Sequence, residues 1–512
     1  MNRFLLLLLT LIFSCQFTTY AQVTPASRST VNYRLVGFSV PEQKGVTTYE
    51  FEVFEYVITD SGTTLEKQVI KQKAKKNRLI ATVPKFGTTY TWKVNYYTNE
   101  KKTGSSELYR FATSYSKKTD TSLFRFRVLT KNKTYKDLLF FSDNTHALYN
   151  LEGEPIWFVP DIPGIVDEKV RLRDLKITND GTITFLTDSA ICEIDYHANV
   201  LWVIKKTDTI TGDFHHEFTK LPNGHYMVCG RENITRAIPE KYIKDTLLYK
   251  NVVDVGKQGN QYFYKFPCGT LIEYDSARNV VWQWKASEHF TDDDFFKKLS
   301  ITGILNPNTH MNSFYFDDKK KVIYISYRDI NRISKIDYPG GNILMEYGEN
   351  YTNSVKIKGH DLFYSQHHAT INSDGDLMLF NNNIIAKTDG KVTENKISSV
   401  LVLEEPYNQL EDIKVKWEFS CNMDTLTSSH TLIGGSAYEL SDKNILVCMG
   451  NVNRVFIASK GKTILWDALS ESKNEDNTWK PIGNYRISPF HSSNNLETAI
   501  YNPTKNLSPS KF

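Results

Sequence analysis

The chain has 512 residues, with 62 Lys and Arg against 58 Asp and Glu and a formal net charge of +4. So mild a balance, with basic residues scattered apart from the cluster Lys71–Arg78, argues against a dedicated nucleic-acid binder. Aromatic residues make up 13% of the chain, which favours β structure.

Arg3, the apolar run Phe4–Phe13 and the small-residue site Thr19-Tyr20-Ala21 predict a signal peptide over residues 1–21, with Gln22 as the mature start. The run is shorter than the roughly 20 apolar residues that span a bilayer. A second reading takes Ile12-Phe13-Ser14-Cys15 as a lipobox and leaves a lipid-anchored Cys15. Both readings export the protein, to the periplasm or beyond. No later stretch is apolar and long enough for a transmembrane helix. Five cysteines follow Ala21, an odd number with no CxxC pair: Cys192, Cys229, Cys268, Cys421 and Cys448. Buried free thiols are expected rather than a disulfide framework or a zinc knuckle.

Residues 30–115 alternate with period two, as in Tyr49–Val57 and Tyr90–Tyr96, between turns at Asp60-Ser61-Gly62 and Phe86-Gly87-Thr88. This predicts a small N-terminal antiparallel β-sandwich. Its Tyr90-Thr91-Trp92-Lys93-Val94 stretch resembles the later strands of fibronectin type III modules. The basic cluster Lys71–Arg78 reads as a solvated hairpin. A polar linker, Ser114–Thr121, follows.

From 122 to 505 the chain repeats itself. Six hairpin-like units end at Trp157, Trp202, Trp282, Met345, Trp417 and Trp466, unevenly spaced in the way loop insertions give. Six such hairpins, each needing neighbours to bury its faces, predict an all-β fold: a six-bladed β-propeller. A second unit alternates with the first and places one residue, polar in three of the four cases, eight positions before a turn residue. The pairs are Arg173 and Gly181, His216 and Gly224, His367 and Gly375, and Gly435 and Lys443. His310 fits to within one position. Equivalent positions in a propeller lie around its axis, so His216, His310 and His367 are expected to face one axial pocket. Arg328 follows the strand that returns from His310 and should lie beside it. A guanidinium there offers a fork of donors matched to sulfate, phosphate or carboxylate.

Three histidines also suit zinc or copper, but Arg328 disfavours a metal. A non-catalytic propeller that binds glycan or peptide is the other rival. No cysteine after residue 21 starts a C-x-P-x-R motif, which disfavours a formylglycine sulfatase, and no repeated tryptophan-docking consensus marks a quinoprotein.

Phe214-His215-His216-Glu217 with Leu221-Pro222-Asn223-Gly224, then Thr309-His310-Met311-Asn312-Ser313, Ser326-Tyr327-Arg328 and Gln366-His367-His368-Ala369, resemble the motif series of bacterial arylsulfate sulfotransferases. Ser436-Ala437 and Tyr485-Arg486 are similar to that family's late motifs. The resemblance runs from about residue 135 to 500. It implies ping-pong transfer of a sulfuryl group from a phenolic sulfate ester to a phenol, with no nucleotide donor and no cofactor or metal. His367 would become sulfohistidine, and His216, His310 and Arg328 would hold the sulfuryl oxygens. His215, His368 and Ser436 are further candidates for substrate binding. His368 stands where the family often has an acidic residue, so what orients His367 is open at this point. The partners implied are small phenols and their sulfate esters, and a homodimer is compatible with the reading.

Overall fold

The computed structural model describes residues 23–58, 64–131, 134–135, 137–208, 213–243, 255–296, 309–349, 358–386, 393–406 and 411–501. The leader expected over residues 1–21, Cys15 included, lies outside them. Strand dominates throughout, and the protein is all-β. Two compact units meet in sequence at Ser114 and Tyr115.

The first unit has two sheets. One runs in the order Ser29–Val31, Tyr109–Thr113, Thr89–Thr98, Thr48–Ile58, Thr64–Ala74, and the other pairs Leu35–Ser39 with Arg78–Thr82. The Ser29–Val31 pair with Phe111–Thr113 is parallel, so the unit is not purely antiparallel as expected. Alternation works as the sequence suggested: Phe51, Val53, Tyr90, Trp92 and Val94 are buried together. The basic cluster is not a hairpin. Thr64–Ala74 and Arg78–Thr82 belong to different sheets, so Lys75–Asn77 is where the chain crosses between them. Lys71 is used locally, 3.1 Å from the Glu52 carboxylate.

The second unit contains six sheets of at least four strands. Their inner strands are β1 (Arg173–Ile177), β2 (Asp213–Lys220), β3 (Met311–Asp317), β4 (His367–Ile371), β5 (Ser436–Glu439) and β6 (Ile487–His491). Each packs on the next, and β6 packs on both β5 and β1, so the six inner strands form a closed cycle. The chain ends seal it. β6 completes the first sheet by pairing with Leu138–Ser142, while Phe124–Thr130 pairs with Ile464–Lys473 of the last. The sheet built on β2 explains the long gap between Trp202 and Trp282. Its strands Tyr226–Ala237 and Gln261–Tyr274 are lengthened and carry the extra strand Val255–Gln258.

The repeated tryptophans lie on the outermost strands, except Trp466 on the fourth strand of the last sheet, and most tie sheet to sheet. Trp157 Nε1 donates to Tyr196 O at 2.7 Å, Trp282 to Pro339 O at 2.8 Å, Trp417 to Lys460 O at 2.8 Å and Trp466 to Leu151 O at 2.8 Å. Each acceptor sits in the hairpin turn of the next sheet, and the last bond joins the sixth sheet to the first. Trp202 instead stacks on Tyr226, and Met345 has no N–H to offer. All five cysteines are free and buried.

Candidate active site

Most inner strands begin with a backbone irregularity that resets which side chain faces the centre of the cycle. Asp174, His216, His310, His368 and Gly435 all have positive φ, at 54°, 63°, 51°, 52° and 115°. Asp174, His216 and His368 lie where the pairing register shifts, and His310 lies one residue before such a shift, the mark of a bulge that redirects side chains. Positive φ is uncommon for a residue with a side chain, though histidine is among those that tolerate it. Its recurrence at strand starts facing one cavity fits the clustering of backbone strain at functional sites.

That cavity has a volume of about 700 Å³ and is lined by Arg173, His216, His310, Arg328, His367 and Tyr485 among others. The hairpin from His310 returns as read from the sequence: Met311 pairs with Tyr327, and Arg328 N donates to His310 O at 3.0 Å.

A chain of polar contacts crosses the cavity. Tyr485 Oη lies 2.6 Å from His216 Nδ1, and His216 Nε2 lies 3.0 Å from His310 Nε2. His310 Nδ1 is 3.5 Å from Asp329 Oδ2. Burial holds the Tyr485 phenol protonated by raising its pKa. Burial, reinforced by the neighbouring His215 and His310, lowers the His216 pKa well below its ordinary value. A neutral His216 can therefore accept from Tyr485 at Nδ1 and donate from Nε2 to His310, whose Nδ1 faces Asp329. Every donor then meets an acceptor and the chain ends on a carboxylate.

His367 is held by a different device. Its Nδ1 is 2.7 Å from Asn382 Oδ1 and 3.2 Å from Ser365 O. Asn382 Nδ2 donates to Thr431 O at 3.1 Å and to Gly434 O at 2.9 Å, which fixes the amide with its oxygen toward the histidine. Nδ1 faces only acceptors, so it carries the proton and Nε2 keeps the lone pair. Burial first, then the Arg328 charge, lowers the His367 pKa well below normal and keeps the ring neutral. The Arg328 guanidinium bonds Asp329 Oδ1 at 3.2 Å and Leu432 O at 3.3 Å, while its buried Nε has no hydrogen-bond partner. A neutral nucleophilic nitrogen and an arginine N–H left for an anion thus share one cavity.

Four of the seven residues proposed from sequence, His216, His310, Arg328 and His367, come together here. The other three do not line the cavity. His215 bonds Gly230 O at 3.0 Å and lines an adjoining small cleft that shares His216 and His310 with the cavity. The His368 ring lies 3.4 Å from Ala437 N and packs on Tyr438. Ser436 is fully buried and donates to Ile487 O at 3.0 Å, stitching β5 to β6. Sequence reasoning missed Asn382 and Asp329, and it recorded Tyr485 only as part of a motif. The sole signal for Asn382 was its place in the run Asn381-Asn382-Asn383.

A buried ionic network lies at the inner strands behind the cavity. Arg486 Nη1 is 2.7 Å from Asp174 Oδ1 and 3.1 Å from Glu217 Oε2, and Lys176 Nζ reaches the same two carboxylates at 2.8 and 3.1 Å. It joins β1, β2 and the Tyr485-bearing entry to β6. Among the described residues, the cluster with metal-like ligand spacing is Glu349, His360 and Asp361, none of which lines the cavity.

The chain is all-β, and its inner strands bring a neutral histidine and an arginine, the chemistry an anion needs, to one cavity. The chain belongs to the arylsulfotransferase (ASST) family, whose model matches residues 112–478. It is by family a sulfotransferase. No curated protein matches the chain significantly. Among solved structures it resembles a Bacteroides caccae protein of unknown function, at 13% identity over 69% of this chain and 98% of that one, TM-score 0.40. It also resembles a streptogramin B lyase, at 10% identity over 71% and 97%, TM-score 0.36. A luciferin-regenerating enzyme follows at 9% identity over 72% and 97%, TM-score 0.32. Likenesses at that level carry no argument about activity. No helix among the described residues is long and apolar enough to cross a membrane.

Proposed function

We propose that the protein is an exported aryl-sulfate sulfotransferase, a six-bladed propeller behind a small N-terminal sandwich, acting by a ping-pong mechanism through sulfohistidine. The observation that carries the reading is His367, with Nδ1 tied to Asn382 and Nε2 left as a lone pair beside Arg328. In the first half-reaction Nε2 attacks the sulfur of an aryl sulfate, the S–O bond to the phenol breaks, and the sulfuryl group stays on His367. The new imidazolium retains Nδ1–H, and its bond to Asn382 Oδ1 strengthens as charge develops. Arg328 answers the equatorial sulfuryl oxygens. The leaving oxygen takes the Nε2 proton of His216, the Tyr485 proton moves onto His216 Nδ1, and the proton of the second phenol returns along the same path, with His310 held in place by Asp329. That phenol then takes the sulfuryl group and frees His367. No nucleotide, cofactor or metal enters these steps.

The test uses 4-nitrophenyl sulfate with and without phenol. Release of 4-nitrophenol that depends on the acceptor, yields phenyl sulfate and is lost in His367→Asn is expected. Release to water at the same rate without acceptor would make the protein a hydrolase. Silence with all aryl sulfates, together with retained ligand binding in His367→Asn, would make it a binding protein.

A further inference from the structure

The cavity carries more positive charge than one sulfuryl group uses. Besides Arg328, its lining includes Lys118, Lys169, Arg171 and Arg173, against Asp143 as the one carboxylate among the lining residues described. Arg173 is partly answered by Asp188 at 3.3 Å. Asp143 answers little: burial pushes its carboxyl up to about 7, and one oxygen already accepts the Arg486 N–H at 2.9 Å. These cations come from the turn Lys117–Thr119, from the segment that leaves the first sheet and from the start of β1. In the cycle of inner strands, β6 of the first sheet stands opposite β3, and β1 stands opposite β4, which begins with His367. The cationic lining and the transfer residues thus face each other across one space of a size that takes a substituted aromatic ligand.

Lys118 shows that this is more than a solvated rim. Its Nζ lies 2.8 Å from His146 Nε2, and among the described residues it makes no direct ion pair, although the charges of Glu168, Asp167 and Asp161 reach it. Burial lowers its pKa to about 8, and burial with the Lys118 charge lowers that of His146 to about 3. At neutral pH the lysine remains charged and the histidine is a neutral acceptor. An ammonium that is partly desolvated, with acidic groups acting on it only at longer range, is incompletely compensated, and an anion brought into contact by a ligand relieves it.

We propose that Lys118, seated on His146 and flanked by Lys169, Arg171 and Arg173, forms a second anion subsite that binds a carboxylate or second sulfate at the far end of the aryl substrate. The preferred substrates are then acidic phenols and their sulfate esters. This rests on the sulfuryl-transfer reading and adds the substrate class to it.

The test compares 4-hydroxybenzoate and 3-(4-hydroxyphenyl)propionate with 4-methylphenol as acceptors, using 4-nitrophenyl sulfate as donor. The acidic acceptors should have the higher kcat/KM, and Lys118→Ala should lower the acidic-to-neutral ratio about tenfold, the size of one charge-assisted contact. Lys118→Arg should keep the ratio. The exposed pair change Lys169→Ala with Arg171→Ala should lower it less and offers a second route if Lys118→Ala folds poorly. A wild-type preference for 4-methylphenol, or a ratio unmoved in both Ala variants, overturns the subsite while leaving the transferase reading intact. If no aryl sulfate is turned over, calorimetric binding of 4-hydroxybenzoate against 4-methylphenol still decides it. Tighter binding of the acid that Lys118→Ala removes supports the subsite, and equal binding overturns it.

Discussion

The two histidine doublets, His215-His216 and His367-His368, open equivalent inner strands and divide their work in the same way through different backbones. In the first doublet the second histidine has positive φ and itself enters the cavity, while His215 turns away to Gly230 O. In the second, His367 enters the cavity and the positive φ falls on its neighbour, which packs on Tyr438. All four rings are buried enough to be held neutral, so a lowered pKa does not separate chemistry from architecture. Their partners do. The architectural rings meet backbone groups of adjacent strands, whereas the cavity rings are gripped at Nδ1 by a side chain and present Nε2 inward.

The sharpest way to break the comparison is to change each member of the second doublet alone. His367→Asn should abolish transfer, a loss of about 10⁴-fold or more in kcat/KM for a missing nucleophile, with the melting temperature little changed. His368→Asn should do the reverse. It leaves the buried Ala437 N–H poorly matched and should cost about 1–3 kcal/mol in denaturant unfolding, with transfer reduced less than tenfold. Equal activity losses in both would dissolve the distinction.

Asn382 probes what grips the cavity ring. Asn382→Leu removes the closer of the two acceptors of the His367 Nδ1 proton, leaving Ser365 O at 3.2 Å, and should lower kcat about 10²–10³-fold, since population of the wrong tautomer removes the nucleophilic lone pair. Asn382→Asp restores an acceptor and should recover part of that loss. A ¹⁵N spectrum of the imidazole, reporting Nδ1–H in the wild type and a tautomer mixture in Asn382→Leu, separates this from a general packing defect. A smaller effect is expected at the first doublet's grip. Tyr485→Phe should slow phenyl sulfate, a poor leaving group, about tenfold and 4-nitrophenyl sulfate hardly at all. Equal slowing of both would remove Tyr485 from proton delivery.

Much of this was legible in the sequence because it is periodic. The six hairpin-like units, five with Trp and one with Met345, land one in each of six sheets, on the outermost strand in five of them, and the eight-residue count to the turn picks His216 and His367 over His215 and His368. That count works because each turn fixes the register of its hairpin. Arg328 was reachable for the same reason, one residue past a strand that pairs back on His310. Asn382 stands as Arg328 does, one residue past a strand that pairs back on its histidine, and Asp329 follows Arg328. Both escaped because the eight-residue count marks only the first strand of each hairpin and says nothing of the returning one. Ser436 was misplaced for the opposite reason. It follows the equivalent glycine by one residue, and one residue along a strand reverses the facing side chain.

The least expected effect, and the broadest, is on stability against pH. Each doublet histidine, and His146 with them, has a folded pKa below its ordinary value of about 6.5, with burial the first cause. On unfolding at acid pH these rings take up protons, so stability is lost as pH falls from about 6.5 toward the depressed folded values. Asp143 acts in the opposite sense. Its carboxyl, raised by burial to about 7 from an ordinary 3.8, stays protonated in the fold and releases a proton on unfolding between those limits, which favours the folded state on the acid side. Five histidines against one carboxyl leave the histidines dominant, and each unbalanced proton contributes about 1.4 kcal/mol per pH unit. Urea unfolding between pH 7 and 5 should therefore show a steep acid loss. His368→Phe and His215→Phe should each flatten it by about one proton, although both rings lie outside the cavity. His367→Asn should flatten it equally while abolishing transfer. If the architectural variants leave the slope unchanged, those two rings are not held neutral, and the likeness between the doublets ends at their positions in the strands.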